Sequence, residues 1–165
     1  MTVEHEPRGA GRYRESFGRW FDDFQVGDVY EHRPGRTVTE TDNTWFTLLT
    51  MNTHPLHFDV AYAANSEFGR PLVNSCLTLS MVVGMSVRDL SQNAVANLGW
   101  DKIKLTAPVF VGDTIYATSK VLATRESRSR PNQGIVTVLT TGRKADGTEF
   151  MHFERAFLVP KREKG

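Results

Sequence analysis

Apolar and polar positions alternate through the second half of the chain. Ile103, Leu105, Ala107 and Val109 fall between Lys102, Lys104, Thr106 and Pro108, and Ile115, Ala117, Ser119 and Val121 fall between Tyr116, Thr118, Lys120 and Leu122. A period of two predicts strands with one face on a core. Val111, Gly112, Asp113 and Thr114 predict the turn between these two strands. Residues 135–141 are rich in β-branched side chains, and Asp146-Gly147 predicts a hairpin turn before a last strand that carries Met151, Phe153, Phe157 and Val159 on one face.

The first half reads as helices and loops. Gly27 and Asp28 suit a turn entering a strand. Thr41 or Asp42 can cap a helix over residues 43–50 by accepting from its free amides. A proline-containing loop follows over residues 51–57, then a short helix over 59–66. Pro71 suits the first turn of a third helix over 72–90, because no needed amide is lost there. Leu72, Val73, Leu77, Leu79, Met81, Val82, Val83, Met85 and Val87 point in several directions around that helix. A helix apolar nearly all round is expected to be buried nearly all round. The fold class predicted is α+β: an antiparallel sheet whose greasy face is covered by one long buried helix.

Residues 1–18 are rich in Arg, Glu and Gly without apolar periodicity, so they are expected to form a mobile N-terminal tail or an arm laid over a partner, with one domain over 19–165. Charged residues make up 24% of the 165 and the formal net charge is +1, which argues against a dedicated nucleic-acid binder. Cys76 is the only cysteine, so no internal disulfide or CxxC pair is possible, in keeping with a reducing cytoplasm. The N-terminus lacks the apolar core of a secretory signal, and the longest apolar stretch, around residues 77–87, is too short to cross a bilayer.

Two segments carry candidate chemistry: Asn52-Thr-His-Pro-Leu-His57-Phe-Asp59, and Gly69-Arg-Pro-Leu-Val-Asn-Ser75-Cys76. The first resembles the Gly-Asp-x-Asn-Pro-Leu-His signature of the MaoC-like dehydratases and (R)-specific enoyl-CoA hydratases. Aligned on Pro55, Leu56 and His57, Met51 stands at the signature glycine, Asn52 at its aspartate and His54 at its asparagine. The second resembles that family's Pro-Ile/Leu-Val-His-Gly-Met loop. The stretches around His54 to Asp59 and Ser129-Arg-Pro-Asn-Gln-Gly134 resemble a branch containing mesaconyl-CoA and itaconyl-CoA hydratases. The resemblance covers about residues 20–160. It implies a hotdog fold, no cofactor, a homodimer or larger even assembly, and hydration or dehydration of a short, branched, dicarboxylic enoyl-CoA.

The chemistry fits these residue types. Water needs a positioned base, and histidine serves near neutral pH. The charge that develops on the thioester oxygen is stabilised by backbone amides at a helix N-terminus. The resemblance assigns His57 as the base and the Ser75 amide as the oxyanion donor. Asn52 is the main departure: an amide holds a water but takes no proton. His57 then acts alone, or a carboxylate helps, with Asp42, Asp59 and Glu67 nearby in sequence. Arg128 and Arg130 lie in a basic run that is either a solvated turn or a contact to the phosphates of coenzyme A. His54, His57 and Asp59 also have the chemistry of metal ligands, but no further ligand cluster accompanies them, and none is assigned. Cys76 is expected to be packed rather than nucleophilic. Trp45, Phe46 and Trp100 are expected in the core or at a dimer contact.

Other readings stay open. They are an (R)-specific enoyl-CoA or acyl-carrier-protein dehydratase with a straight-chain substrate, a non-catalytic acyl-binding subunit, and a thioesterase. Fold alone does not fix function.

Overall fold

The computed structural model describes residues 17–162 and, ahead of them, the backbone of His5–Pro7 (β1) and Tyr13–Glu15 (β2), two short strands paired antiparallel. Of the tail expected over residues 1–18, Phe17 and Gly18 are described, the Gly18 amide donating to the Arg88 carbonyl at 3.0 Å, and the rest apart from the two strands lies outside the described residues. After a turn containing Gly27, whose φ of 100° is one that glycine adopts without strain, the chain enters β3 (Val29–Thr37).

Three helices follow. α1 (Glu40–Leu49) starts before the predicted position. Its cap is Thr39, whose side chain accepts from the Asp42 amide, and Asp42 accepts in return from the Thr39 amide at 2.9 Å. Asp42 is the reciprocal half of a capping box rather than the cap itself. α2 (Val60–Ala64) is capped by Asp59. α3 (Ser75–Ser86) also differs from the prediction. Pro71 and Leu72 precede it in extended backbone, with Leu72 bridged to Phe110, and Asn74 caps it by accepting from the Cys76 amide at 2.9 Å. The helix then widens into a π turn over Val87–Ser91.

The remaining strands are β4 (Ala96–Leu105), β5 (Thr114–Glu126), β6 (Gln133–Lys144) and β7 (Glu149–Pro160), and the five-stranded antiparallel sheet has the order β3-β5-β6-β7-β4. The architecture is therefore the predicted one, a sheet curled around a central helix. Ile115, Ala117, Ser119 and Val121 face inward on β5, and Met151, Phe153, Phe157 and Val159 are fully buried on β7. The helix contributes one buried stripe, Leu77, Thr78, Val82 and Ser86, and leaves Leu79, Val83 and Met85 only half-buried. In the single chain the helix is thus covered on the sheet side and not all round.

β4 departs most from its pattern. It is one of the two edge strands, its register slips between Asp101 and Lys104, and Ile103 and Leu105 are exposed although they were expected inside. Lys102 at the slip has a φ of 50°. A bulge breaks the alternation that the sequence implied.

The core falls into two apolar clusters, one around Val82, Ile115 and Phe153, the other around Leu90, Val121 and Phe157. Buried polar groups lie at the helix end facing them. His32 bonds through Nδ1 to Asp89 and through Nε2 to Ser119, both at 2.8 Å, and Ser119 bonds Thr140. All four are buried. Burial pushes the His32 imidazole below its ordinary value, against the opposing pull of Asp89. Arg155 points inward between Phe153 and Phe157, donates to Ser86 and is lowered to about 10 by burial.

Candidate functional site

The site is built where the α1–α2 segment meets the extended stretch before α3. Pro55–His57 is a single tight turn, and it is held by the side chain of its own cap, His54, whose Nδ1 accepts from the Leu56 amide at 3.1 Å. The turn presents His57 to the carbonyl of Leu72, 2.8 Å from Nδ1. A carbonyl only accepts, so Nδ1 carries the proton. The neutral ring is then fixed with Nε2 as an open acceptor, the form a general base needs.

Asn43 ties the pieces together. This almost fully buried side chain donates to the His57 carbonyl at 2.7 Å and to the Leu72 carbonyl at 3.1 Å, and accepts from the Asn74 amide at 2.8 Å. One amide group thereby sets the histidine turn, the pre-helix strand and the cap of α3 relative to one another.

His57 lines a cavity of about 220 Å³ together with Glu40, Asn43, Phe58, Arg70 and Val111. Ser75 lines a second hollow of about 320 Å³, with Phe68, Leu72, Val73, Thr78 and Phe150. The two hollows lie against the same segment: Arg70 and Pro71 belong to the first, Leu72, Val73 and Ser75 to the second. Among the described residues no acceptor takes the Ser75 amide, whereas the neighbouring Cys76 amide is occupied by Asn74. Ser75 therefore offers a free donor at the start of a twelve-residue helix.

Asn52 lies at the start of the same turn. Its Oδ1 accepts from the His54 amide at 3.0 Å, which shapes the turn, and it is not among the residues around the His57 cavity. Of the carboxylates near in sequence, Asp42 is engaged with Thr39 and Arg36, and Asp59 with the Tyr62 amide. The carboxylate that does share the cavity is Glu40, in the first turn of α1. Arg128 and Arg130 are in the loop joining β5 to β6, at the end of β5 away from Val111. The thirteen residues of β5 lie between them and the cavity along the chain, and neither arginine lines it. Cys76 is exposed rather than packed. Phe46 packs on the core, while Trp45 and Trp100 are exposed.

Three cavity residues, Glu40, Asn43 and Arg70, escaped the sequence reading. Arg70 lies inside the Gly69-Arg-Pro stretch that marked the second loop, so a signal for it was present. Nothing in a polar residue of a helix's first turn announces Glu40 or Asn43.

A family model for mesaconyl-CoA hydratase matches residues 10–165. The chain is 33% identical over 147 residues to the mesaconyl-CoA hydratase of Haloarcula marismortui, covering 88% of this chain and 41% of that protein. Among solved structures, a MaoC domain dehydratase from Chloroflexus aurantiacus superposes with a TM-score of 0.84 at 32% identity, over 88% of this chain and 41% of that one. A Mycobacterium tuberculosis protein with a double hotdog fold superposes with a TM-score of 0.80 at 22% identity, over 90% of this chain and 47% of that one. The fold here is thus a single hotdog, and the chain spans less than half the length of each of these relatives.

Proposed function

Because the chain belongs to the mesaconyl-CoA hydratase family, we propose that it is an acyl-CoA hydratase and dehydratase acting on a short, branched, dicarboxylic enoyl-CoA of the mesaconyl type. The observation that carries this reading is the His57 ring: its Nδ1–H is spent on the Leu72 carbonyl and its Nε2 is left to accept in a cavity.

In the proposed reaction a water in that cavity gives a proton to His57 Nε2 as its oxygen bonds to the β-carbon. The electron pair of the double bond moves toward the thioester oxygen, where the Ser75 amide donates. The imidazolium then returns the proton to the α-carbon. One histidine can serve both transfers, so the reading does not need a carboxylate at Asn52. Asn52 contributes by holding the turn.

The chain covers 41% of the Haloarcula relative, and a second copy is proposed to stand where such proteins have their remaining length. Arg128 and Arg130 reach the phosphates of coenzyme A from such a second copy. A cytoplasmic setting fits; among the described residues no helix is long and apolar enough to cross a membrane.

The test is incubation of the purified protein with mesaconyl-CoA and with itaconyl-CoA, with the product masses measured. Gain of one water by either supports the reading, and absence of any hydrated product from these and from crotonyl-CoA overturns it. His57→Ala should lose about a hundredfold or more in turnover, the scale of general-base catalysis. The departure at Asn52 favours a second reading, a non-catalytic acyl-binding subunit. Near-normal hydration by His57→Ala would remove the base. Binding of acyl-CoA without turnover by the wild type would select the second reading.

A further inference from the structure

Arg70 is an exposed arginine held against an aromatic ring. Its guanidinium carbon lies 4.0 Å from the centre of the Phe110 ring, and it makes no hydrogen bond or ion pair among the described residues. Phe110 is itself fixed, by its bridge to Leu72 and by its amide, which donates to Asp113 at 3.0 Å. The neighbouring cation over the same ring, Lys144, is already paired with Asp113 at 2.7 Å. Stacking on a ring satisfies the face of a guanidinium and leaves its edge, where the forked N–H donors are, available. Arg70 is a wall of the His57 cavity.

The chemistry of the substrate class says where a counter-ion has to be. In a mesaconyl-type thioester the second carboxylate is carried on the β-carbon, the carbon that receives the hydroxyl. Its partner must then share a cavity with the base. A cation in the Ser75 hollow would sit at the thioester end instead.

Resting on the hydratase reading above, we propose that Arg70 is the specificity-determining residue, binding the carboxylate on the substrate's β-carbon through its free edge. The fork matches a carboxylate with two parallel hydrogen bonds, and the Phe110 stack holds it in that orientation before the ligand arrives. A substrate with a methyl group at that carbon leaves the guanidinium unpaired and loses the pair's contribution. The positive charge also offsets Glu40, which would otherwise repel an anionic acyl group from the same space.

The experiment compares wild type, Arg70→Met and Arg70→Lys. The methionine keeps apolar bulk over Phe110 without charge, and the lysine keeps charge without the fork. Turnover is measured with mesaconyl-CoA and with crotonyl-CoA, which carries a methyl group on its β-carbon. Binding is measured with the unreactive pair succinyl-CoA and butyryl-CoA, which differ in the same way. Arg70→Met should lose about a hundredfold or more in kcat/KM for mesaconyl-CoA, lose its preference for succinyl-CoA over butyryl-CoA, and keep its kcat/KM for crotonyl-CoA. Arg70→Lys should fall between. An equal loss for both members of each pair would overturn the proposal, making Arg70 a phosphate contact or a purely structural residue. So would no loss at all. Wild-type protein that binds succinyl-CoA in an Arg70-dependent way but hydrates nothing would sink the hydratase reading and leave this one standing. Hydration without preference would do the reverse.

Discussion

A single amide organises the site. Asn43 is in the interior and makes three hydrogen bonds, to the carbonyls of His57 and Leu72 and from the amide of Asn74. Asn43→Ala removes all three and strands two carbonyls and one amide. At about 1 kcal/mol per lost bond, and more where a buried group is left unpaired, we expect a loss of about 2–4 kcal/mol of stability. Turnover should fall further than substrate binding, because the His57 turn loses its anchor. Denaturant titration and steady-state kinetics on the same preparation check both; unchanged kcat would show that His57 is positioned by its Leu72 bond alone. His32 supplies a separate expectation. Burial lowers its pKa in the folded chain relative to the unfolded value of about 6.5. The unfolded state therefore binds the extra proton first. The stability contributed by the neutral ring is complete above about pH 6.5 and is lost as pH falls below it. His32→Gln should remove that component of the pH dependence. An unaltered slope between pH 7 and pH 5 would assign the acid sensitivity to other groups.

Among the elements, α3 serves both packing and chemistry, and its cap is where the two meet. Asn74 accepts from the Cys76 amide and donates to Thr47 at 3.3 Å, so the start of the helix is fastened to α1. Asn74→Ala should cost about 1–2 kcal/mol as a lost N-cap. It should also fray the turn that carries the Ser75 amide and so reduce kcat. Asn74→Asp keeps the acceptor at the cap and should recover most of the stability, which thermal melts of the three proteins would show. The prediction of this helix erred at its start for a traceable reason. Pro71 is compatible with a first helical turn, but Leu72 pairs with Phe110 and the Val73 amide with the Val109 carbonyl, and these long-range backbone bonds hold the segment extended.

At the scale of the whole molecule the sheet ends in two edge strands, β3 and β4, and β4 is the more apolar of them. β4 exposes Leu98, Trp100, Ile103 and Leu105, and the outer stripe of α3 beside the core is only half-buried. An exposed apolar edge strand is a template for pairing unless something covers it. We expect a second copy to add its own β4 there and extend the sheet across a two-fold axis. Light scattering should give at least twice the 18.6 kDa of one chain. Ile103→Lys should shift the population toward monomer and lower activity in a concentration-dependent way. A wild-type monomer at assay concentration would rule this out.

Much was legible from local pattern alone. The period-two runs on β5 and β7, the Asp146-Gly147 turn, the short helix after Asp59 and the apolar α3 all follow from steric and hydrophobic preferences of neighbouring residues, which need no knowledge of the rest of the chain. His57 was singled out through the motif around it. Other features required the folded chain. Whether Ile103 faces inward depends on β4 being an edge with a register slip, and an edge is a property of the sheet. That Asn52 shapes a turn while Glu40 and Arg70 reach the cavity depends on α1 and the Arg70–Leu72 stretch meeting across nearly thirty residues of chain. The hydrogen bonds of Asn43 to residues 14, 29 and 31 positions away make that meeting. Local preferences set which elements form; which side chains share a cavity is decided by long-range packing, because no window of sequence contains both partners.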